Sequence, residues 1–277
     1  MAERLNVVTD STASLPKSVI EKTGIEVVPA RIMFETRDYR DGVDIGFVEF
    51  IEKLKVADPL PTTSAPSLGE FLKVYERLPG NVISIHLGSK FSGFFSRAEE
   101  AAKEIGGDRI HPFDSQSVSL GLGFMVMEAA RLVNQGATVD QITKELEDMR
   151  SRTTVFAALD TLKYAEKGGR ISHLGAWVGS TLNIKPILQI KDNEITTPEK
   201  VRTRGKSLDR MVELTEALGP LERVAVVHAD SSEEDIGRVI NQIQRFYTGE
   251  IMRGNIGAAL ATHAGPGVLG VAAVRRK

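Results

Sequence analysis

Hydrophobic and polar positions follow two periods along this chain. Short apolar runs such as Leu5-Asn6-Val7-Val8, Asn81 to Ile85 and Arg109 to Phe113 fit strands, and longer stretches with apolar residues three and four apart fit helices. The pattern predicts a helix near Ser14 to Lys22 ended by Gly24, a short strand from Ile25 to Pro29 and a hairpin over 31–40. An amphipathic segment follows from Phe47 to Lys55. The run ADPLPTTSAP carries three prolines in ten residues and reads as a loop. Ser67-Leu68-Gly69-Glu70 and Thr138-Val139-Asp140-Gln141 are capping boxes that open helices, and further helices are expected from about Ser92 to Ile105 and from Ser117 to Asn134. Repeated β-α-β units of this kind predict a parallel sheet covered on both faces.

After about residue 152 the texture changes. Val155 to Leu159 reads as a strand, followed by a short helix, a Gly-Gly pair and a helix near Ser172 to Leu182. IKPILQI and ITTPEKVR flank Lys191-Asp192-Asn193 and predict a β-hairpin, with Pro186 at an edge or a strand start. A helix near Thr203 to Leu218, a strand over 223–228, a helix over 232–246 and two closing strands complete a mixed sheet with helices on one face. The expectation is two α/β domains: 1–151, with a parallel sheet in an α/β/α arrangement, and 152–277, with a mixed sheet.

Composition narrows the function classes. With 277 residues, 42% hydrophobic and 26% charged, the chain is an ordinary globular one. A net charge of −2 gives no electrostatic case for nucleic acid. The absence of cysteine removes disulfides, thiolate catalysis and cysteine metal sites. The start lacks a signal-peptide layout and no apolar run nears the roughly 20 residues of a membrane span, so a cytoplasmic protein is expected.

Several polar turns follow predicted strands: Thr9-Asp10-Ser11, Thr62-Thr63-Ser64, Ser89 to Gly93, Asp114-Ser115, and Thr262 to Gly267 after an apolar run GAALA read as a strand. In open α/β sheets ligands settle at such carboxyl ends, although Ser, Thr and Asp are also ordinary helix caps. HLGSKFSGFFSRAE invites comparison with a phosphate loop. Gly88 and Gly93 are five apart, but Phe94 and Phe95 stand where a Walker motif has its lysine and magnesium-binding hydroxyl. An anion attached to an apolar body fits this turn better than a nucleotide. Lys167-Gly168-Gly169-Arg170-Ile171-Ser172 reads as a helix stop and start with a cation between them. Lys185, Lys200, Arg202 and Arg204 add charge further on, either as a solvated face or as a convergent cluster. His263 is a candidate functional histidine. The five histidines show no zinc spacing, Asp10, Asp114 and Asp230 read as caps and loop anchors, and no nucleophile elbow occurs.

Together these segments resemble the DegV family of bacterial fatty-acid-binding proteins. The resemblance is carried by VVTDSTASL, TTSAPS, SKFSGFFSRAEEA, FDSQSVSLGLG, LKYAEKGGRISHLGAWVGSTLNIKPIL, KVRTRGK and THAGPGVLG, in the family's order over nearly the whole chain. SKFSGFF departs from it, because many members have a second serine and a Gly-Thr-Tyr sequence there. The resemblance implies a two-domain α/β fold with one long-chain fatty acid buried between the domains, no catalytic residue of its own, no metal and no cofactor. It further implies an ATP-binding partner subunit similar to dihydroxyacetone kinases, which phosphorylates the carboxylate for phospholipid synthesis. The carboxylate-binding groups map onto Thr62 or Thr63, Ser92 with Gly93, and His263, and the basic residues for phosphate transfer or partner contact onto Arg170 and Arg202. A monomer with transient membrane contact is expected. Two alternatives stay open: a hydrolase or transferase using Ser92 and His263, and a lipid-responsive regulator.

Overall fold

The computed structural model describes residues 5–106, 108–169 and 184–277. Strands β1 (Leu5–Asp10) and β2 (Glu26–Val28) are followed by the small hairpin β3 (Arg31–Phe34) and β4 (Arg37–Arg40) and by β5 (Thr62–Ser64). β6 (Asn81–His86) and β7 (Ile110–Asp114) come next. β2-β1-β6-β7 form a four-stranded parallel sheet, and β4-β3-β5 a separate three-stranded antiparallel one. The intervening helices are α1 (Lys17–Thr23), α2 (Phe47–Val56), α3 (Leu68–Arg77) and α4 (Phe94–Ile105), then α5 (Ser119–Asn134) and α6 (Val139–Arg152). Both predicted capping boxes form, at Ser67 with Glu70 and at Thr138 with Gln141.

The second half holds β8 (Thr153–Ala158), α7 (Lys163–Lys167), β9 (Lys185–Lys191), β10 (Glu194–Val201) and α8 (Arg204–Glu216). It continues with β11 (Leu221–Ala229), α9 (Glu233–Ile243), β12 (Ile251–Asn255), α10 (Ala258–Ala264) and β13 (Val268–Arg275). Its sheet runs β10-β9-β8-β13-β11-β12 and is mixed, with β11 and β12 parallel and the other pairs antiparallel. Period-two alternation sorts its side chains between two cores. Phe156, Val226 and Val271 pack with Leu208 and Met211 of α8 and Val239 of α9, whereas Val155, Val227 and Ala272 join the core that contains α5. α5 is therefore shared, because Leu122 and Val126 belong to the same core as Ile83 and Ile85 of the parallel sheet. The opposite face of that sheet is covered by α3 and α4 through Phe71, Tyr75, Ala98 and Ala101.

The structure departs from the sequence pattern at two places. The proline-rich stretch is not all loop. Pro61 and Pro66 lie outside Thr62–Ser64, so the three residues of β5 keep their N–H groups and add this strand to the edge of β3. The run GAALA opens a helix, Gly257 preceding α10 and the next four residues forming its first part, since alanine-rich sequence without β-branched residues favours a helix. β9 is an interior strand, and Pro186, its second residue, stands at the start of the strand. The helix expected near Ser172 to Leu182 lies outside the described residues.

α5 fits between its neighbours because two of its residues lack side chains. A Cβ on Gly121 would lie 2.6 Å from Val155 Cγ2 and 2.4 Å from Ser117 Oγ, and one on Gly123 2.7 Å from the Ala13 carbonyl oxygen. Farther along, buried Glu128 receives Arg131 of α5 and Arg223 of β11. Burial alone would raise its pKa, but the two guanidinium groups outweigh burial and hold it below the usual glutamate value.

Alanine normally stabilises a helix over glycine by about 1 kcal/mol. Gly237→Ala in α9, where nothing lies within 4 Å of the added Cβ, is expected to raise stability. Gly121→Ala and Gly123→Ala are expected to lower it by about 1–3 kcal/mol through overpacking. Urea unfolding of the three variants tests this, and stabilisation by all three would contradict the close fit of α5.

Candidate functional site

Loops at the carboxyl ends of the parallel strands meet the inner face of the mixed sheet around a cavity of about 160 Å³. Its wall is mostly aliphatic and aromatic, including Phe91, Phe94, Val155, Leu188, Ile190 and Val227, with few polar groups: Thr12, Thr63, Ser64, Ser92, Ser119 and His263. An apolar cavity of this order gives water too few partners and takes apolar guests.

The polar groups are fixed from several sides. Thr63 and His263 are bonded to each other, Oγ1 to Nε2, at 2.6 Å. β5 presents Thr63 and Ser64 to the cavity, whereas Thr62 is exposed and outside the lining. Ser92 lines the cavity, and a Cβ on Gly93 would lie 3.9 Å from Ala65 Cβ, so this turn runs beside the residue that follows β5. Gly93 itself is exposed and precedes α4. Of the two phenylalanines after Gly93, Phe94 lines the cavity and Phe95 does not, because successive helical residues point about 100° apart; Phe91 and Phe156 line it as well.

His263 sits in the last turn of α10, and Asp41 secures the first turn. Asp41 is buried and accepts from the Ala258 and Ala259 N–H groups at 3.1 and 3.3 Å and from Ser11 Oγ at 2.9 Å. Burial raises its carboxyl pKa against these donors. No pattern in the sequence singles out Asp41, which reaches α10 across more than two hundred residues. On the other side, Gly168 passes close to the imidazole: a Cβ there would lie 2.2 Å from His263 Nδ1. The Gly-Gly pair thus does more than stop α7, since its first member lets the chain approach the histidine.

Asp10, Thr12 and His86 form a buried support under the same loops. Asp10 Oδ1 accepts from Thr12 N and Oγ1 at 3.0 and 2.5 Å, and Oδ2 accepts from Leu87 N at 3.0 Å and contacts His86 Nδ1 at 3.0 Å. His86 Nε2 meets Ser84 Oγ, which meets Tyr75 OH, each at 2.7 Å. Asp10 is thereby an anchor, as are Asp114, which receives Ser89, and Asp230, which pairs with Lys55 at 3.0 Å. Among the described residues no cluster of His, Asp and Glu could hold a metal.

The basic residues do not form one group. Lys185 and Arg204 converge on Asp160, at 3.1 and 3.5 Å, and Arg204 also reaches Asp235 at 2.9 Å. Arg202 is exposed between β10 and α8, outside the cavity lining. Arg170 lies outside the described residues. No helix among the described residues is long and apolar enough to cross a membrane.

Gly168→Ala is expected to displace the His263 ring and to lower stability by about 1–3 kcal/mol. The imidazole resonances of His263 in NMR spectra test this, and unshifted resonances in the variant would contradict the packing described.

The family model described as "Uncharacterised protein, DegV family" matches residues 4–276. Protein DegV of Bacillus subtilis (strain 168) is 38% identical over 274 residues, covering 96% of this chain and 97% of that protein. The crystal structure of DegV, described as a fatty acid binding protein from Bacillus subtilis, superposes with a TM-score of 0.89 at 36% identity, covering 99% of this chain and 100% of that one. A DegV family protein from Thermus thermophilus, whose structure is described by its fatty acid binding, gives 0.90 at 30% identity with the same coverage. The mixed α/β architecture, with one parallel and one mixed sheet, is that of these relatives, and the chain belongs to the DegV family.

Proposed function

We propose that this protein binds a long-chain fatty acid, with the tail in the apolar cavity and the carboxylate at Thr63, Ser92 and His263. The chain then works as two units joined near residue 152, which hold the ligand between them. The observation that carries this reading is the cavity itself: an aliphatic and aromatic chamber whose wall includes a hydrogen-bonded Thr-His pair and a serine turn. The fatty acid binding described for the Bacillus subtilis and Thermus thermophilus relatives supports it.

The energetics are consistent. Burying a methylene is worth about 0.8 kcal/mol, so a tail of roughly 15 contributes on the order of 12 kcal/mol at most. Immobilising ligand and protein removes part of that. A carboxylate leaves water only with partners, and hydroxyl and imidazole donors supply them without the cluster of lysines that a polyphosphate demands.

The finer reading is that the protein has no complete catalytic site and presents the carboxylate to an ATP-dependent kinase partner. There a carboxylate oxygen attacks the γ-phosphorus of ATP, the bond to the bridging oxygen breaks, and acyl phosphate and ADP result. Arg202, exposed and outside the cavity, suits contact with that partner or with the transferring phosphoryl group.

Gentle purification followed by solvent extraction and mass spectrometry is expected to yield stoichiometric long-chain fatty acid. Ser92→Ala is expected to weaken palmitate binding by about tenfold, the loss of one hydrogen bond to a charged group. Absence of bound or exchangeable fatty acid would overturn the reading. For the finer reading, Arg202→Ala is expected to leave palmitate affinity unchanged and to slow acyl-phosphate formation with a kinase partner. Unchanged acyl-phosphate formation would remove Arg202 from that role.

A further inference from the structure

The stretch from Leu87 to Ser92 is held from two sides of the molecule. From the side of the parallel sheet, Leu87 N–H donates to Asp10 at 3.0 Å, Gly88 N–H to the Ser117 carbonyl at 3.0 Å and Ser89 N–H to Asp114 at 3.1 Å. The remaining hold comes from the mixed sheet, at the tip of the β9–β10 hairpin. Asp192 and Asn193 form its two-residue turn with φ of 50° and 62°, the left-handed conformation that a tight hairpin requires.

Asn193 is only 6% exposed, although it is at a hairpin tip. Its Oδ1 accepts from the Lys90 N–H at 3.2 Å, its Nδ2 donates to Ser89 Oγ at 2.9 Å and approaches Asp114 Oδ2 at 3.4 Å, and its own N–H donates to the Gln116 carbonyl at 3.2 Å. The amide orientation is set by its partners, because the reverse would put Oδ1 against the Asp114 carboxylate and Nδ2 against an N–H. The fit is close on the loop side as well: a Cβ on Gly88 would lie 2.6 Å from Asn193 Oδ1 and 2.8 Å from the Phe91 ring. From this clasp the chain turns, Phe91 N–H donating to the Gly88 carbonyl at 2.9 Å, and delivers Phe91 and Ser92 into the cavity wall.

We infer that Asn193 is a positioning residue for the head-group site: reaching across from the mixed sheet, it fixes the Ser89-Lys90 backbone and thereby the place of the Ser92 hydroxyl. The inference rests on the reading of Ser92 as a carboxylate donor. It differs from a general stabilising role in a measurable way. A residue that only holds the cavity together affects every long-chain ligand alike, whereas one that aims Ser92 affects the ligand with a carboxylate.

The test compares palmitate with hexadecanol, which has the same chain and no charge. Asn193→Gly removes the side chain while suiting the left-handed turn, and a thermal melt checks that the variant is folded. Ser89→Ala removes the nearer of the two oxygens that Asn193 Nδ2 reaches and changes no hairpin residue. Both are expected to weaken palmitate binding by about fivefold and hexadecanol binding by less than about twofold, a difference of at least about 0.5 kcal/mol. Equal weakening of both ligands, or of neither, would overturn the positioning role. Ser92→Ala, measured alongside, separates the two levels. If it weakens palmitate selectively while Asn193→Gly does not, the inference about Asn193 fails alone. If it shows no selectivity, the carboxylate reading fails and the inference falls with it.

Discussion

The constraint on which the rest of the structure depends is the fit of α5 between two sheets. One helix serves as cover for the parallel sheet and as packing for the inner face of the mixed sheet. Gly121 and Gly123, nearly opposite on the helix, let Val155 approach on one side and the Ala13 carbonyl on the other. The helix fills the interface along its length, and where its first turn begins at Ser119 the two sheets face each other across open space. The cavity follows from that geometry: Thr12, Leu87 and Ser92 come from loops at the parallel strand ends, and Val155, Leu188 and Val227 from the mixed sheet.

A cavity walled by hydrocarbon can place its few polar groups only where the backbone is secured, because each buried polar group needs a partner. Four long-range contacts provide this. Asp10 holds Thr12 and Leu87, Asp41 caps the helix that carries His263, Gly168 admits the histidine ring, and Asn193 clasps the turn before Ser92. Each joins segments far apart in sequence, so the site exists only in the assembled fold. For the proposed fatty acid, such rigidity would let hydroxyl and imidazole groups replace water around the carboxylate while the tail provides most of the affinity.

Much of the architecture was legible in the sequence because it rests on local signals. The capping boxes at Ser67 and Thr138, the hairpin at Lys191 to Asn193 and the α/β alternation all specify their elements within a few residues. Residues that depend on tertiary contact were not legible. Thr62 and Thr63 are neighbours of the same type, and only the pairing of β5 with β3 decides which one faces inward. GAALA is apolar enough for a strand, and the Asp41 carboxylate that caps its helix comes from far away in the sequence. Asn193 reads as an ordinary turn residue, since nothing in Lys-Asp-Asn announces that its amide crosses to the other sheet. The family resemblance supplied what local patterns lacked, by drawing Thr62 or Thr63, Ser92 with Gly93, and His263 into one expected site that no spacing in the chain connects.

The most direct measurement is a crystal structure of the protein with palmitate. The expected result is an extended acyl chain in the cavity between the two sheets, with the carboxylate within hydrogen-bonding distance of Thr63 and Ser92 and beside His263. A carboxylate directed instead toward Val227 and Gly270, or a fatty acid found only on the outer surface while the cavity stays empty, would contradict it.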